Sequence, residues 1–263
     1  MRRGLTLVEL LISLSMMAML AAVLGGLAVA VDTSTKYTYG HATATQHARV
    51  ALERITRNVT QATASGTHPG FAVVCDQAGS YRFPDTLVVW RPSGSPANAA
   101  GPPLVRELIV YAPNPANPRQ LLEITSPSDS RSLPLDQAGV SPYRQMIDDL
   151  KTSASSQKVV LTDLLRVALA DIGGIAGRRG AVRFEQELRP SAAAWSQYKA
   201  GTLAWNSLVW PQGLGGSKSG LRQAWLRMEL QLMPGDESYA QDPNGSLAVP
   251  FFGSAELYYT LPK

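Results

Sequence analysis

The sequence predicts an α+β protein in which one long N-terminal helix packs on an antiparallel β-sheet domain. An uncharged apolar run from Leu10 to Val31 is long enough for a membrane helix. A helical spacing of apolar residues follows between Ala48 and Ala62. Beyond Gly70 the chain changes to short β-rich runs separated by Pro, Gly, Asn and Ser, which is typical of an antiparallel sheet.

The apolar run contains a chemical problem at its start. Its 22 residues span about 33 Å at 1.5 Å per residue, and Arg2 and Arg3 before it place the N-terminus on the cytoplasmic side. Glu9 is an ionisable group just inside this segment, where an unpaired charge costs about 3 kcal/mol at bilayer depth. A cut after Gly4 would give Leu5 a free α-amine, a cation that the Glu9 carboxylate of a neighbouring subunit can neutralise.

The stretch Gly4-Leu5-Thr6-Leu7-Val8-Glu9 resembles the class III leader of type IV pilins and type II secretion pseudopilins. The resemblance implies that a prepilin peptidase cuts after Gly4, that the new N-terminus at Leu5 is methylated, and that Glu9 guides packing in a filament. Leu5 departs from the phenylalanine most common at that position. With the helix pattern, the resemblance divides the chain into a leader peptide (1–4), a transmembrane and assembly helix (5–31), an amphipathic continuation (32–66) and an exported β-rich domain (67–263).

A less specific resemblance covers most of the chain. The segment 46–57 and the order of the β-rich runs are similar to J-type minor pseudopilins and W-type minor pilins, and together they imply a pilin-like fold. The expected function is that of a structural minor pilin or pseudopilin subunit and not of an enzyme. The expected partners are other pilin or pseudopilin subunits, the prepilin peptidase, an inner-membrane assembly platform and the lipid bilayer, with no nucleic acid and no cofactor. The expected location is the inner membrane, with a single span and a periplasmic or extracellular domain, and then the assembled filament.

The sequence leaves several alternatives open. The apolar run also fits a secretory signal peptide with an A-x-A site at Ala28-Val29-Ala30, or a plain single-pass anchor. A pilus-tip adhesion or DNA-uptake module, with Arg178-Arg179 on an exposed loop, and a membrane-anchored exported enzyme remain as other functions. The choices between pilus and pseudopilus, and between tip and shaft, also stay open.

Within the exported part, the spacing of Ala48, Ala51, Leu52, Ile55, Val59 and Ala62 predicts a helix face that docks the domain, while Arg49, Glu53, Arg54 and Arg57 stay in water. Ser65-Gly66 predicts the helix end. A short helix is expected at 143–150, and 158–172 fits either strand or helix. Strands are predicted at 71–75, 86–91, 105–111, 120–125, 225–233 and 255–260. The alternation of apolar and polar residues from Leu226 to Leu232 predicts a half-buried antiparallel strand.

Composition and motifs give little sign of chemistry. Arg2 and Arg3 supply two of the net +4 charges of the 263 residues, so the mature chain is close to neutral, and the single cysteine, Cys75, excludes an intrachain disulfide. The three histidines show no metal-ligand spacing and are expected on the surface or stalk. A glycine-rich stretch at 173–180 is expected to be a turn, and 213–220 lacks the second glycine of a P-loop. Tryptophans 195, 205, 210 and 225 fit a core better than a binding surface, and whether the acidic loop 236–244 binds calcium stays open.

Overall fold

The structure, a computed structural model, describes residues 6–78, 81–134, 142–172, 175–208, 220–234 and 248–260. It confirms the predicted fold class: a long N-terminal apolar helix followed by an antiparallel β-sheet domain. The helix α1 (Leu7–Thr60) has 54 residues and runs without a break through Gly25-Gly26 and Gly40. Its first half is exposed on all sides, and its second half lies on the domain.

The remaining elements follow in chain order: β1 (Phe71–Ala78), β2 (Tyr81–Trp90), β3 (Leu108–Pro113), β4 (Leu121–Thr125), α2 (Pro142–Thr152), β5 (Gln157–Thr162), β6 (Val167–Ile172), β7 (Ile175–Gly180), β8 (Val182–Arg189), α3 (Ala192–Lys199), β9 (Leu221–Leu232) and β10 (Val249–Thr260).

Among the residues described, the strands form three antiparallel groups. The first is a five-stranded sheet in the order β1-β2-β3-β4-β5, the second is a three-stranded sheet in the order β10-β9-β8, and the third is the hairpin β6-β7. Neighbouring strands of the five-stranded sheet are also consecutive strands of that sheet along the chain, which is the common arrangement. The helix α1 lies against β10 and also touches β5 and β9, so it contacts both larger sheets.

The main core lies where α1 meets both larger sheets. Ala44, Ala48, Ala51, Ile55 and Val59 form the buried stripe of α1, at the spacing that the sequence predicts. Alternate residues of β9 pack into the same core: Ala224, Leu226, Met228, Leu230 and Leu232. The alternation predicted for β9 is therefore confirmed at its buried positions.

A second core covers the opposite face of the five-stranded sheet. Leu87 and Val89 of β2 face α1, whereas Val88 and Trp90 pack on the side that α2 covers with Ile147. Because both faces are buried, β2 shows an uninterrupted apolar end rather than a polar alternation.

Several sequence predictions differ from the structure in detail. The helix α1 ends at Thr60 and not at 66, because the Thr63 amide donates to the Trp90 carbonyl at 2.9 Å and so directs the chain to the end of β2. Ala62 therefore packs on the core from outside the helix. The ambiguous stretch 158–172 contains strand in two pieces, β5 and β6.

Two further segments form regular structure, and one of them is predicted to be a turn. The described part of the glycine-rich stretch 173–180 is strand β7, paired with β6 in a hairpin, because cross-strand hydrogen bonds outweigh the turn propensity of its glycines. Trp195 lies on helix α3, which begins after Ser191 because the Ser191 hydroxyl accepts a hydrogen bond from the Ala194 amide at 3.2 Å. The start of the run predicted at 105–111 is a 3₁₀ turn, and β3 begins at Leu108.

Candidate functional site: the N-terminal helix and its docking

The start of α1 is a reciprocal cap between Thr6 and Glu9. The Thr6 amide and the Thr6 hydroxyl both donate to Glu9 Oε2 at 2.9 Å, and the Glu9 amide donates to the Thr6 hydroxyl at 3.3 Å. This arrangement is a capping box, which satisfies two amides that have no partner within the helix. Glu9 therefore has a partner in its own chain, which the sequence argument did not anticipate even though Thr6 and Glu9 stand at the spacing of this motif. Gly4 and Leu5, the predicted cleavage and methylation positions, lie outside the described residues.

The apolar half of α1 is not buried against the part of the domain that the structure describes. Every residue from Leu7 to Val31 is exposed, including Leu11 at 56% and Leu24 at 64%. The helix is long and apolar enough to cross a membrane once. An apolar surface of this size on the outside of a protein marks contact with lipid or with another protein.

Small residues bring the second half of α1 close to β10. Three of the five residues in its buried stripe are alanines, and Gly253 of β10 lies beside the Leu52 side chain. A Cβ at Gly253 would lie 3.1 Å from both Leu52 Cδ2 and Met228 Cε, closer than ordinary van der Waals contact. Gly253 therefore allows the close approach between helix and sheet.

Polar contacts also fix α1 against the five-stranded sheet. Arg54 donates from Nε and Nη2 to the two carboxylate oxygens of Glu123 on β4, both at 2.7 Å. Tyr111 on β3 donates to Glu123 Oε2 at 3.1 Å and accepts a hydrogen bond from Asn58 of α1. Burial, and then the neighbouring Glu123 carboxylate, raise the pKa of Tyr111, so its hydroxyl remains protonated and able to donate.

This network continues to the end of the helix, where Arg91 donates to Asn58 Oδ1 at 2.6 Å and to Gln61 Oε1 at 2.8 Å. The prediction that Arg54 stays in water is therefore wrong. Its guanidinium bridges to a carboxylate on the neighbouring sheet, and sequence spacing within α1 contains no information about that partner.

The three histidines lie in different surroundings. The His41 ring lies 4.4 Å from the Tyr37 ring on α1 with the two ring planes tilted, and His47 Nδ1 lies 3.2 Å from the Thr162 hydroxyl. His68 is buried, contrary to the prediction of a surface position, because the loop after α1 folds back onto Trp90. Burial lowers the pKa of His68 to about 4, so its ring is neutral near neutral pH. Within the described ranges, no three His, Cys, Asp or Glu side chains are placed to hold a metal ion.

Arg179, which the adhesion or DNA-uptake alternative places on an exposed loop, contacts other side chains of the domain. It donates to Asp76 Oδ2 at 2.5 Å and stacks over the Phe83 ring at 4.3 Å, while Arg178 beside it on β7 is exposed. Trp195 and Trp205 pack with Tyr198 in a small core, in agreement with the interpretation as core residues. Trp210 and the acidic loop 236–244 lie outside the described residues, as does most of the stretch 213–220.

An open groove of about 570 Å³ lies beside β8, with Cys75 and Trp225 among its lining residues. Its charged side chains neutralise one another: Arg227 lies 3.2 Å from Glu185, and Arg189 lies 2.8 Å from Glu187. These paired charges do not converge on a point where a substrate could react.

Comparison of the chain with protein-family models, curated proteins and solved structures finds no match.

Proposed function

We propose that the chain is a structural minor pilin or pseudopilin subunit that waits in the inner membrane and then enters a type IV pilus or type II secretion pseudopilus. The observation that carries this proposal is the division of α1 into two halves. The apolar half is exposed on every side and begins with a capped carboxylate, whereas the second half is fixed to the β-domain by small residues and polar contacts. Such a subunit presents one apolar helix to its neighbours and keeps its domain outside the bundle.

In the proposed mechanism, a prepilin peptidase cuts after Gly4 and Leu5 becomes the methylated N-terminus. The positive α-amine of one subunit then meets the Glu9 carboxylate of the next in a medium of low polarity, where an unpaired charge is expensive. The rigid connection through Arg54 and Glu123 transmits the position of the helix to the domain. Arg2 and Arg3 favour a cytoplasmic N-terminus and an exported domain, and an inner-membrane assembly platform supplies the lifting step.

A plain membrane anchor is the second candidate, because the capping box gives Glu9 a role that needs no neighbour. The two functions differ in what they require of residue 9. A cap at this position works with glutamate or glutamine, whereas neutralisation of a chain end requires a negative charge.

The substitution Glu9→Gln therefore separates the two functions, with Thr6→Ala as the matched control that weakens the same cap by about 0.5–2 kcal/mol but keeps the charge. If assembly depends on the charge, Glu9→Gln abolishes co-assembly in sheared filament fractions or in cross-links between subunits, and Thr6→Ala retains it. If Glu9 is only a cap, Glu9→Gln behaves as the unmodified chain, and the assembly proposal is then wrong.

The N-terminal peptide of the protein purified from host membranes tests the processing step. We expect its mass to correspond to a chain that begins at methylated Leu5. A chain that begins at Val31 indicates a signal peptide, and a chain that keeps Met1 while it assembles contradicts the proposed mechanism. The same measurement on the Thr6→Ala variant verifies that this control is still processed.

A further inference from the structure

Two tyrosines stand on α1 between the apolar run and the domain. Tyr37 is 60% exposed and Tyr39 is 76% exposed, and Ala44 is the first residue of the helix that the domain fully buries. Residues two positions apart on a helix are separated by about 200° around its axis. Tyr37 and Tyr39 therefore leave the helix on nearly opposite sides. The Tyr37 ring also lies 4.4 Å from the ring of His41, which follows it by one turn on the same helix.

The polar groups around these tyrosines are satisfied within the helix. Lys36 and Asp32 form an ion pair at 2.8 Å. The Thr33, Thr35 and Thr38 hydroxyls donate to main-chain carbonyls one turn earlier, at 2.8 to 2.9 Å. This segment is suited to a zone that is neither fully aqueous nor fully apolar.

We propose that residues 32–39 form an interfacial collar, which lies among the lipid headgroups on the domain side of the membrane and sets the depth of α1. Tyrosine is enriched at this level because its ring is apolar and its hydroxyl is polar. The collar continues directly from the apolar run, so lipid is the occupant that this surface fits. The inference depends on α1 crossing the membrane once and does not depend on filament assembly.

The collar places Glu9 at the opposite interface. From Glu9 to Tyr37 the helix rises about 42 Å, close to the roughly 40–45 Å of a bilayer with its headgroups. The 22 residues between Leu10 and Val31 then cover the hydrocarbon core with a modest tilt.

Side-chain direction favours the same depth at both ends. Side chains of an α-helix lean toward its N-terminus. The Cα–Cβ bonds of Tyr37 and Tyr39 consequently tilt toward the bilayer, and the Glu9 carboxylate lies away from the hydrocarbon beside Thr6, which it contacts at 2.9 Å. Glu9 in the single subunit therefore lies at headgroup level, and the large cost of a buried charge arises only when the helix leaves this depth.

Depth measurements on the full unprocessed chain test this placement. Cys75→Ser removes the native thiol, and single nitroxide labels are then attached through Val8→Cys, Leu20→Cys or Thr38→Cys in phosphatidylethanolamine and phosphatidylglycerol vesicles. From collisions with oxygen and with a water-soluble nickel chelate, we expect the label at 20 to be deepest and those at 8 and 38 to lie at headgroup level. A label at 8 as deep as that at 20, or a fully aqueous label at 38, overturns the proposal.

Moving the collar tests whether it sets the depth. The combined change Thr33→Tyr, Thr35→Tyr, Tyr37→Thr and Tyr39→Thr shifts the aromatic pair four residues toward the apolar run without altering composition. We expect the label at Val8→Cys to move deeper into the bilayer by up to about 6 Å, because the helix shifts toward the domain side to keep the tyrosines at that interface. An unchanged depth at this label means that the tyrosines do not position the helix. Because both experiments use the single unprocessed chain, neither result bears on processing or assembly.

Discussion

Loss of the Arg54 guanidinium should destabilise the domain far more than loss of a similar charge on the same helix. Arg54 forms a bidentate pair with Glu123, whose side chain is only 9% exposed, whereas the side chain of Arg54 is 39% exposed. Removing one partner of a fully buried pair costs about 3–5 kcal/mol, because the remaining charge is left without compensation. Since water reaches part of Arg54, we expect about 2–3 kcal/mol for Arg54→Met.

The matched control is Arg49→Met on the same helix. It removes the exposed ion pair between Arg49 and Glu53, which follows Arg49 by one turn. An exposed pair of this kind contributes less than about 1 kcal/mol. Thermal unfolding of the full chain in detergent should show a lowering of Tm by roughly 5–10 °C for Arg54→Met and by a much smaller amount for Arg49→Met. A double-mutant cycle with Glu123→Gln isolates the coupling between the two side chains. Equal effects of the two arginine substitutions would refute the assignment of this contact as the link between helix and sheet.

Three other perturbations test the domain. Burial lowers the pKa of His68 from 6.5 to about 4, so the free energy of unfolding should fall by about 3 kcal/mol in total as the pH drops from 6.5 through 4. In denaturant titrations His68→Gln should reduce this pH dependence. An unchanged pH dependence in that variant contradicts the assignment. Ile55→Ala, in the fully buried stripe of α1, should lower the unfolding free energy by about 2–5 kcal/mol, whereas Val50→Ala on the exposed side should change it by less than about 0.5 kcal/mol. Gly70 has φ +91°, and a side chain of β10 occupies the place that a Cβ would take. Gly70→Ala should therefore lower the free energy of unfolding by about 1–3 kcal/mol. Gly66→Ala is the control, because a Cβ at that position meets open space.

Features with a local signal in the chain could be predicted. The apolar run and the spacing of Ala48, Ala51 and Ile55 gave the two halves of α1, because a helix repeats its buried positions every three or four residues. Alternation around Met228 gave β9 for the same kind of reason, since successive side chains of a strand face opposite sides. The Thr6–Glu9 cap was present in the spacing as well, but a membrane carboxylate suggested a partner in another subunit.

Features that depend on a distant partner could not be predicted. The end of α1 at Thr60 depends on the Trp90 carbonyl, which accepts a hydrogen bond from the Thr63 amide. The position of the Arg54 side chain depends on its hydrogen bonds to Glu123. His68 is buried because a later strand supplies Trp90 beside it.

The sequence by itself determined that one long helix precedes a β-rich domain, that the first half of this helix is apolar throughout, and that a carboxylate stands at its start. Only the tertiary structure decided where the helix ends, which of its polar side chains are buried and which strands are neighbours. The physical reason is the range of the interactions. Periodicity and capping act within a few residues, whereas strand pairing and ion pairs such as Arg54–Glu123 join residues that are far apart in the chain.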